Sequence, residues 1–127
     1  MKETKKRILV VGAHPDDADI KAGGMACLLA KKGYEVLFLS LTNGSCGHMT
    51  EYGPRLAARR RKEAQHVKAH AGLYDYITLD HEDTQLEQTI SIREELLRIE
   101  RKFAPDVILT HRPCDYHPDH RAPCWRP

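Results

Sequence analysis

The hydrophobic positions of this chain fall into two alternating rhythms. Arg7-Ile-Leu-Val-Val-Gly12 is a β-branched apolar run closed by glycine, the pattern of a strand covered on both faces. From Asp19 to Gly33 the spacing changes to three and four: Ile20, Gly24, Leu28 and Lys31 share a stripe with Met25 and Leu29 beside it, which predicts a helix stopped by Gly33. Glu35-Val-Leu-Phe-Leu-Ser-Leu-Thr42 predicts a second strand, and Asn43-Gly44 opens a flexible loop that runs to about Pro54. Leu56, Ala57, Ala64, Val67 and Ala71 then predict a helix from Pro54 to Gly72, followed by a third strand from Tyr74 to Leu79. After the polar stretch Asp80 to Gln88, the recurrence of Ile92, Leu96, Ile99 and Phe103 marks one buried face of a third helix, ended by Pro105. Asp106-Val-Ile-Leu-Thr110 predicts a fourth buried strand, and no regular element is expected beyond His111.

Strand and helix alternate four times without repeats or a linker, which argues for a parallel sheet with right-handed crossovers. The expected fold is a Rossmann-like α/β/α domain over residues 1–127, with strand order 3-2-1-4 and helices on both faces. In that order the sheet reverses its direction of growth between strands one and four, and ligands bind in the crevice there. Two segments meet at that crevice: Gly12 to Asp19, and Thr110 to Arg121.

Composition adds limits. A chain of 127 residues, 41% hydrophobic and 30% charged, suits one globular domain. No apolar run approaches the roughly 20 residues of a membrane span, and Met1 to Arg7 passes into the first strand without a secretory cleavage site, so a cytoplasmic protein is expected. Twenty basic against 18 acidic residues leave a net charge of +2, which calls for neither nucleic acid nor an anionic membrane. Cys27, Cys46, Cys114 and Cys124 show no C-x-x-C spacing and read as free thiols.

The turn after the first strand reads Gly-Ala-His-Pro-Asp-Asp, where a nucleotide site would need bare glycine backbone; His14, Asp16 and Asp17 attract a cation instead. The facing segment carries His111, Asp115, His117, Asp119 and His120. An open catalytic metal site takes three histidine or carboxylate ligands plus a water, with a further carboxylate free as base. His14, Asp17 and His120 can supply the ligands, Asp16 the base, and His117 an oxyanion donor or acid, with Asp119 orienting it. The alternative is structural: Asp17 or Asp19 caps the first helix, and the histidines are ordinary hydrogen-bonded residues.

At these residues the sequence resembles the LmbE-like, PIG-L-type zinc deacetylases. Ala-His-Pro-Asp-Asp and His-Pro-Asp-His carry the resemblance, with Leu-Thr-Asn-Gly, Arg-Arg-Lys-Glu-Ala and Leu-Thr-His-Arg-Pro between them. It implies a Rossmann-type hydrolase that removes an N-acetyl group from an N-acetylglucosamine-type amino sugar or glycoconjugate. Zn²⁺, or another divalent ion such as Fe²⁺, would sit on His14, Asp17 and His120. Asp16 would be the general base, His117 the oxyanion-side histidine, and Asp119 its tuner. Arg60, on the inward stripe of the second helix beside Glu63, reads as a substrate contact or loop brace, or else as a surface ion pair; His48 could close over the pocket, and Asp83 brace it. Arg55, Arg59, Arg61, Lys62 and Lys68 read as a solvated face, and His66 and His70 as surface residues.

The resemblance also implies a longer protein, with another helix and further strands after His-Pro-Asp-His, whereas this chain reaches only Pro127. A truncation, a frameshift or an unusually short member is expected, incomplete at its C-terminus, with strand four an exposed edge and His120 short of scaffold. Two other classes fit parts of the pattern: a non-catalytic metal-binding fragment, and a non-haem iron oxygenase, in which Asp16 has no task. A homo-oligomer is compatible with the exposed edge.

Overall fold

The computed structural model describes residues 4–124. Its strands β1 (Arg7–Gly12), β2 (Glu35–Thr42), β3 (Asp75–His81) and β4 (Val107–Thr110) form one parallel sheet in the order β3-β2-β1-β4. Helices α1 (Asp17–Lys31), α2 (Gly53–Ala71) and α3 (Ile90–Phe103) make the crossovers. Alternate residues of the central strands explain the layering. Ile8, Val10, Val36, Phe38 and Tyr76 pack with alanines of α1 and α2 on one face, while Leu9, Val11, Leu37, Leu39 and Leu41 pack with Phe103 and the inner stripe of α3 on the other. Both faces of β1 and β2 are therefore covered, as their unbroken apolar runs predict.

Three expectations need correction. The stripe of α1 through Ile20 and Leu28 faces outward, with these residues 72% and 64% exposed; the helix instead lays Ala18, Ala22 and Ala26 on the sheet. Small side chains let the helix axis approach the strands closely, so the buried face is the one with the least apolar bulk. Strand β4 is not buried but the exposed edge that was also expected: among the described residues it pairs only with β1, and Val107 and Ile108 are 47% and 45% exposed. The segment after β4 is also not irregular throughout. His117 caps a single turn, α4 (Pro118–Arg121), which continues into a 3₁₀ turn at Ala122–Cys124. Pro118 takes the first helical position, where its missing N–H is no loss and its fixed φ suits the turn. Residues 125–127 of the expected non-helical ending lie outside the described residues.

Candidate metal and catalytic site

The β1–α1 turn is built before it binds anything. Gly12 is needed because a Cβ there would come within 2.7 Å of the Asp17 Cβ. The Ala13 carbonyl accepts from the Thr42 N–H at 2.8 Å and the Thr42 hydroxyl at 2.7 Å, both at the end of β2. The Pro15 carbonyl accepts from the buried Tyr76 hydroxyl at 2.7 Å. The turn's carbonyls are thus fixed by two neighbouring strands, and the side chains of His14, Asp16 and Asp17 point in set directions from it.

Three side chains converge above this turn. His14 Nδ1 lies 3.2 Å from His120 Nε2 and 3.3 Å from Asp17 Oδ2, and His120 Nε2 lies 3.5 Å from Asp17 Oδ1. Tetrahedral coordination with bonds near 2.0–2.1 Å spaces its donors by about 3.3 Å. The donor set therefore fits a small divalent ion in spacing and in chemistry. His14 could point only one nitrogen there, and its other nitrogen explains which: Nε2 lies 3.0 Å from both Asp83 Oδ1 and Asp119 Oδ2. A carboxylate behind an imidazole holds the proton on the far nitrogen and leaves the near one free as a ligand.

The electrostatics agree. Burial opposes a charged His14, but hydrogen bonds and charge from Asp17 and Asp83 outweigh it, and its pKa is pushed up to about 10. Asp17 resists its own burial in the same way and is held far below the usual carboxylate range by His111, His14 and the His14 N–H. Asp83, likewise buried, is lowered by His14 and by the Cys46 N–H. His120 moves the opposite way: burial and the neighbouring imidazoles outweigh the charge of Asp17 and keep it below its ordinary value, with a free lone pair at neutral pH. Without an ion, the pocket retains a proton where a cation would sit.

The remaining expected residues divide. His14, Asp16, Asp17, Arg60, His117 and His120 all line one open cleft of about 320 Å³. Asp16, half exposed, pairs with Arg60 Nη2 at 3.2 Å. His117 accepts the Asp119 N–H on Nδ1 at 3.1 Å, so in its neutral form the proton sits on Nε2 as a donor. Asp119 meets the His117 ring through this backbone N–H and not through its carboxylate. Its carboxylate, 1% exposed, turns inward to His14 and to the Thr84 and Leu86 N–H groups, at 2.8 and 3.3 Å. The helical turn at Pro118 swings it beneath the sheet edge, where those backbone donors wait. His48 is exposed, with Nδ1 accepting from the Thr50 and Glu51 N–H groups at 3.2 and 3.0 Å, and it does not line the cleft. Asp83 does line it. Arg59 pairs with Glu51 and Glu63 on the solvated side of α2, and the four cysteines are free.

Sequence reading assigned no task to Thr42, Tyr76, Thr84 or His111. A signal existed for two of them: Thr42 and Tyr76 are polar-tipped residues in otherwise apolar strands, where a buried hydroxyl must find a partner. Thr84 gives no such sign. It holds a left-handed φ of 70°, rare for a β-branched residue, with its N–H on Asp119.

Comparison with known proteins identifies the lineage. A model of the PIG-L family, described as GlcNAc-PI de-N-acetylase, matches residues 9–123. The chain belongs to this family. The diacetylchitobiose deacetylase of Thermococcus kodakarensis is 36% identical over 121 residues, 91% of this chain and 45% of that protein. The solved N,N'-diacetylchitobiose deacetylase of Pyrococcus horikoshii superimposes with a TM-score of 0.84 at 34% identity, over 92% of this chain and 46% of the other. The 4-carboxy-2-hydroxymuconate hydratase GalB of Pseudomonas putida matches with a TM-score of 0.81 at 26% identity, over 91% and 51%. This PIG-L chain thus spans about half the length of these relatives. Among the described residues no helix is long and apolar enough to cross a membrane.

Proposed function

We propose that this chain carries the metal-dependent site of a deacetylase that removes an acetyl group from an N-acetylglucosamine-type amino sugar, with zinc as the ion. The observation that carries this reading is the meeting of His14 Nδ1, His120 Nε2 and the Asp17 carboxylate at 3.2–3.5 Å, beside an acid that takes no part in the triad. Family membership and the two diacetylchitobiose deacetylases support the substrate class.

A bound zinc ion supplies Lewis acidity, which lowers the pKa of a water to about 7. The chain's own residues do the rest. Asp16 takes a proton from the attacking water and returns one to the departing nitrogen; its pairing with Arg60 holds it at the cleft wall. His117 presents its Nε2–H to the carbonyl oxygen as negative charge gathers there. Water adds to the amide carbon, the C–N bond breaks, and the products are acetate and a free amine. Asp83 and Asp119 hold His14 in the ligand tautomer. Arg60 reaches the substrate from the α2 side.

Exchange of Asp16 for asparagine tests this reading. Asp16→Asn should retain one equivalent of zinc and lose amine release from N,N'-diacetylchitobiose and N-acetylglucosamine by about 10²- to 10⁴-fold. Full activity in the variant removes Asp16 as base. One equivalent of zinc with no amine release even from the unaltered chain favours a non-catalytic metal-binding module.

A further inference from the structure

We infer that His111, which no step above uses, is a positioning residue that sets the ring of His120, one of the three metal-binding side chains. The inference rests on the metal-site reading above. Thr110 pairs with Val11 in the sheet and its hydroxyl donates to the Val11 carbonyl at 3.1 Å, so His111 leaves β4 from a fixed point beside the β1–α1 turn. Its side chain is 8% exposed. Nε2 lies 3.1 Å from the Ala13 N–H, which donates to it, and 3.2 Å from Asp17 Oδ2.

The ring does as much as the nitrogen. The imidazole of His111 stacks on that of His120 with centroids 4.1 Å apart and planes inclined by 5°. On its other side His120 meets His117 at 4.7 Å and 22°. His120 is thereby the middle member of a three-ring column, and its remaining freedom, rotation of the ring plane, is removed. That matters because α4 is a single turn, too short to hold a side chain by helical packing alone. Its ring is aimed instead by a residue anchored in the sheet, and Nε2 is left facing His14 Nδ1.

The same atoms admit a rival role, since Asp17, His111 and His120 also lie close enough together to share an ion. Two features favour positioning. His111 Nε2 is already engaged, accepting from the Ala13 N–H in one tautomer and donating to Asp17 Oδ2 in the other, whereas His14 Nδ1 has its proton-holding carboxylates behind it and a clear path to the other donors. A stacked ring is held face to face with His120, and an ion lies in the plane of an imidazole ligand, not above its face.

The full chain is titrated with Co²⁺, following affinity and the visible absorption band, for the unaltered protein, His111→Ala and His111→Phe. Melting of each metal-free protein is recorded alongside. His111→Ala should weaken binding about 10- to 100-fold, in the range of lost support for a ligand. His111→Phe restores a flat ring against His120 without a nitrogen; it should recover most of the affinity and keep the band position and intensity, because the ligand set is unchanged. Unaltered affinity and spectrum in His111→Ala overturns the inference. So does a His111→Phe protein that folds yet binds as weakly as His111→Ala with a changed band, which makes the nitrogen itself a ligand. If His111→Ala does not fold, His111→Phe against the unaltered chain decides by the same criteria. His14→Ala separates the underlying reading: undiminished Co²⁺ binding there refutes the metal site itself, whatever His111 does.

Discussion

His14 faces two ways, and its proton is the key to the metal-free state. With Nε2 on Asp83 and Asp119 and Nδ1 against Asp17 and His120, it holds its second proton until about pH 10. An ion must displace that proton, since a ligand nitrogen needs its lone pair. The sign follows. A histidine whose folded pKa is raised above the ordinary 6.5 contributes its charge interaction fully below about pH 6.5 and loses it as the pH climbs through about 10. The ion competes with exactly that charge interaction, so zinc affinity should rise steadily between those limits. At pH 7 binding should release about one proton per ion. Calorimetric titration in buffers of different ionisation enthalpy measures this directly, and a heat independent of the buffer would contradict it. His120, held below its ordinary value and already neutral at pH 7, should add little to the count.

At the scale of elements, the site depends on how closely α1 starts behind β1. The Gly12 Cα approaches the Asp17 side chain so nearly that an added methyl would sit 2.7 Å from its Cβ, with the Ala18 backbone N at 3.4 Å behind it. Gly12→Ala should therefore push the first turn of α1 outward, at about 1–3 kcal/mol of overpacking strain, and carry Asp17 away from His14 and His120. A zinc affinity lowered by tenfold or more, with the sheet still formed by circular dichroism, is the expected result; unchanged affinity would show that the turn has slack. The same junction shows what could be read from the sequence. Strands β1 and β2 end where their apolar runs end, at Gly12 and Thr42, because a strand covered on both faces has no polar position to blur its limits. Gly72 closes α2 in the left-handed conformation for which glycine is the favoured residue. The inner face of α1 was not legible, because alanine contacts leave no hydrophobic stripe while Ile20 and Leu28 on the outside imitate one. In the site, His14, Asp17 and His120 are legible as residue types that suit a cation. The task of Asp119 was not, since its partners Thr84 and Leu86 offer backbone N–H groups that every residue carries.

For the whole molecule, the parallel sheet brings together side chains 106 residues apart in the chain, His14 and His120. The likeness to both a diacetylchitobiose deacetylase and a hydratase shows that this scaffold alone does not choose the reaction. The scaffold does determine what the ion means for stability. Strand β4 is held by β1 alone, and the segment after it returns to the sheet through His111, Asp119 and His120. An ion on His14, Asp17 and His120 closes that long loop in the native state and has no assembled site in the unfolded chain. At a free zinc concentration 100 times the dissociation constant, the gain is about 2.7 kcal/mol. For a domain of this size it corresponds to a rise on the order of 10 °C in melting temperature. A chelator should reverse the shift, and His120→Ala should abolish it while leaving the metal-free melting point within a few degrees. Equal zinc stabilisation of His120→Ala would mean that the ion binds within the β1–α1 turn alone, and that the segment after β4 takes no part in holding it.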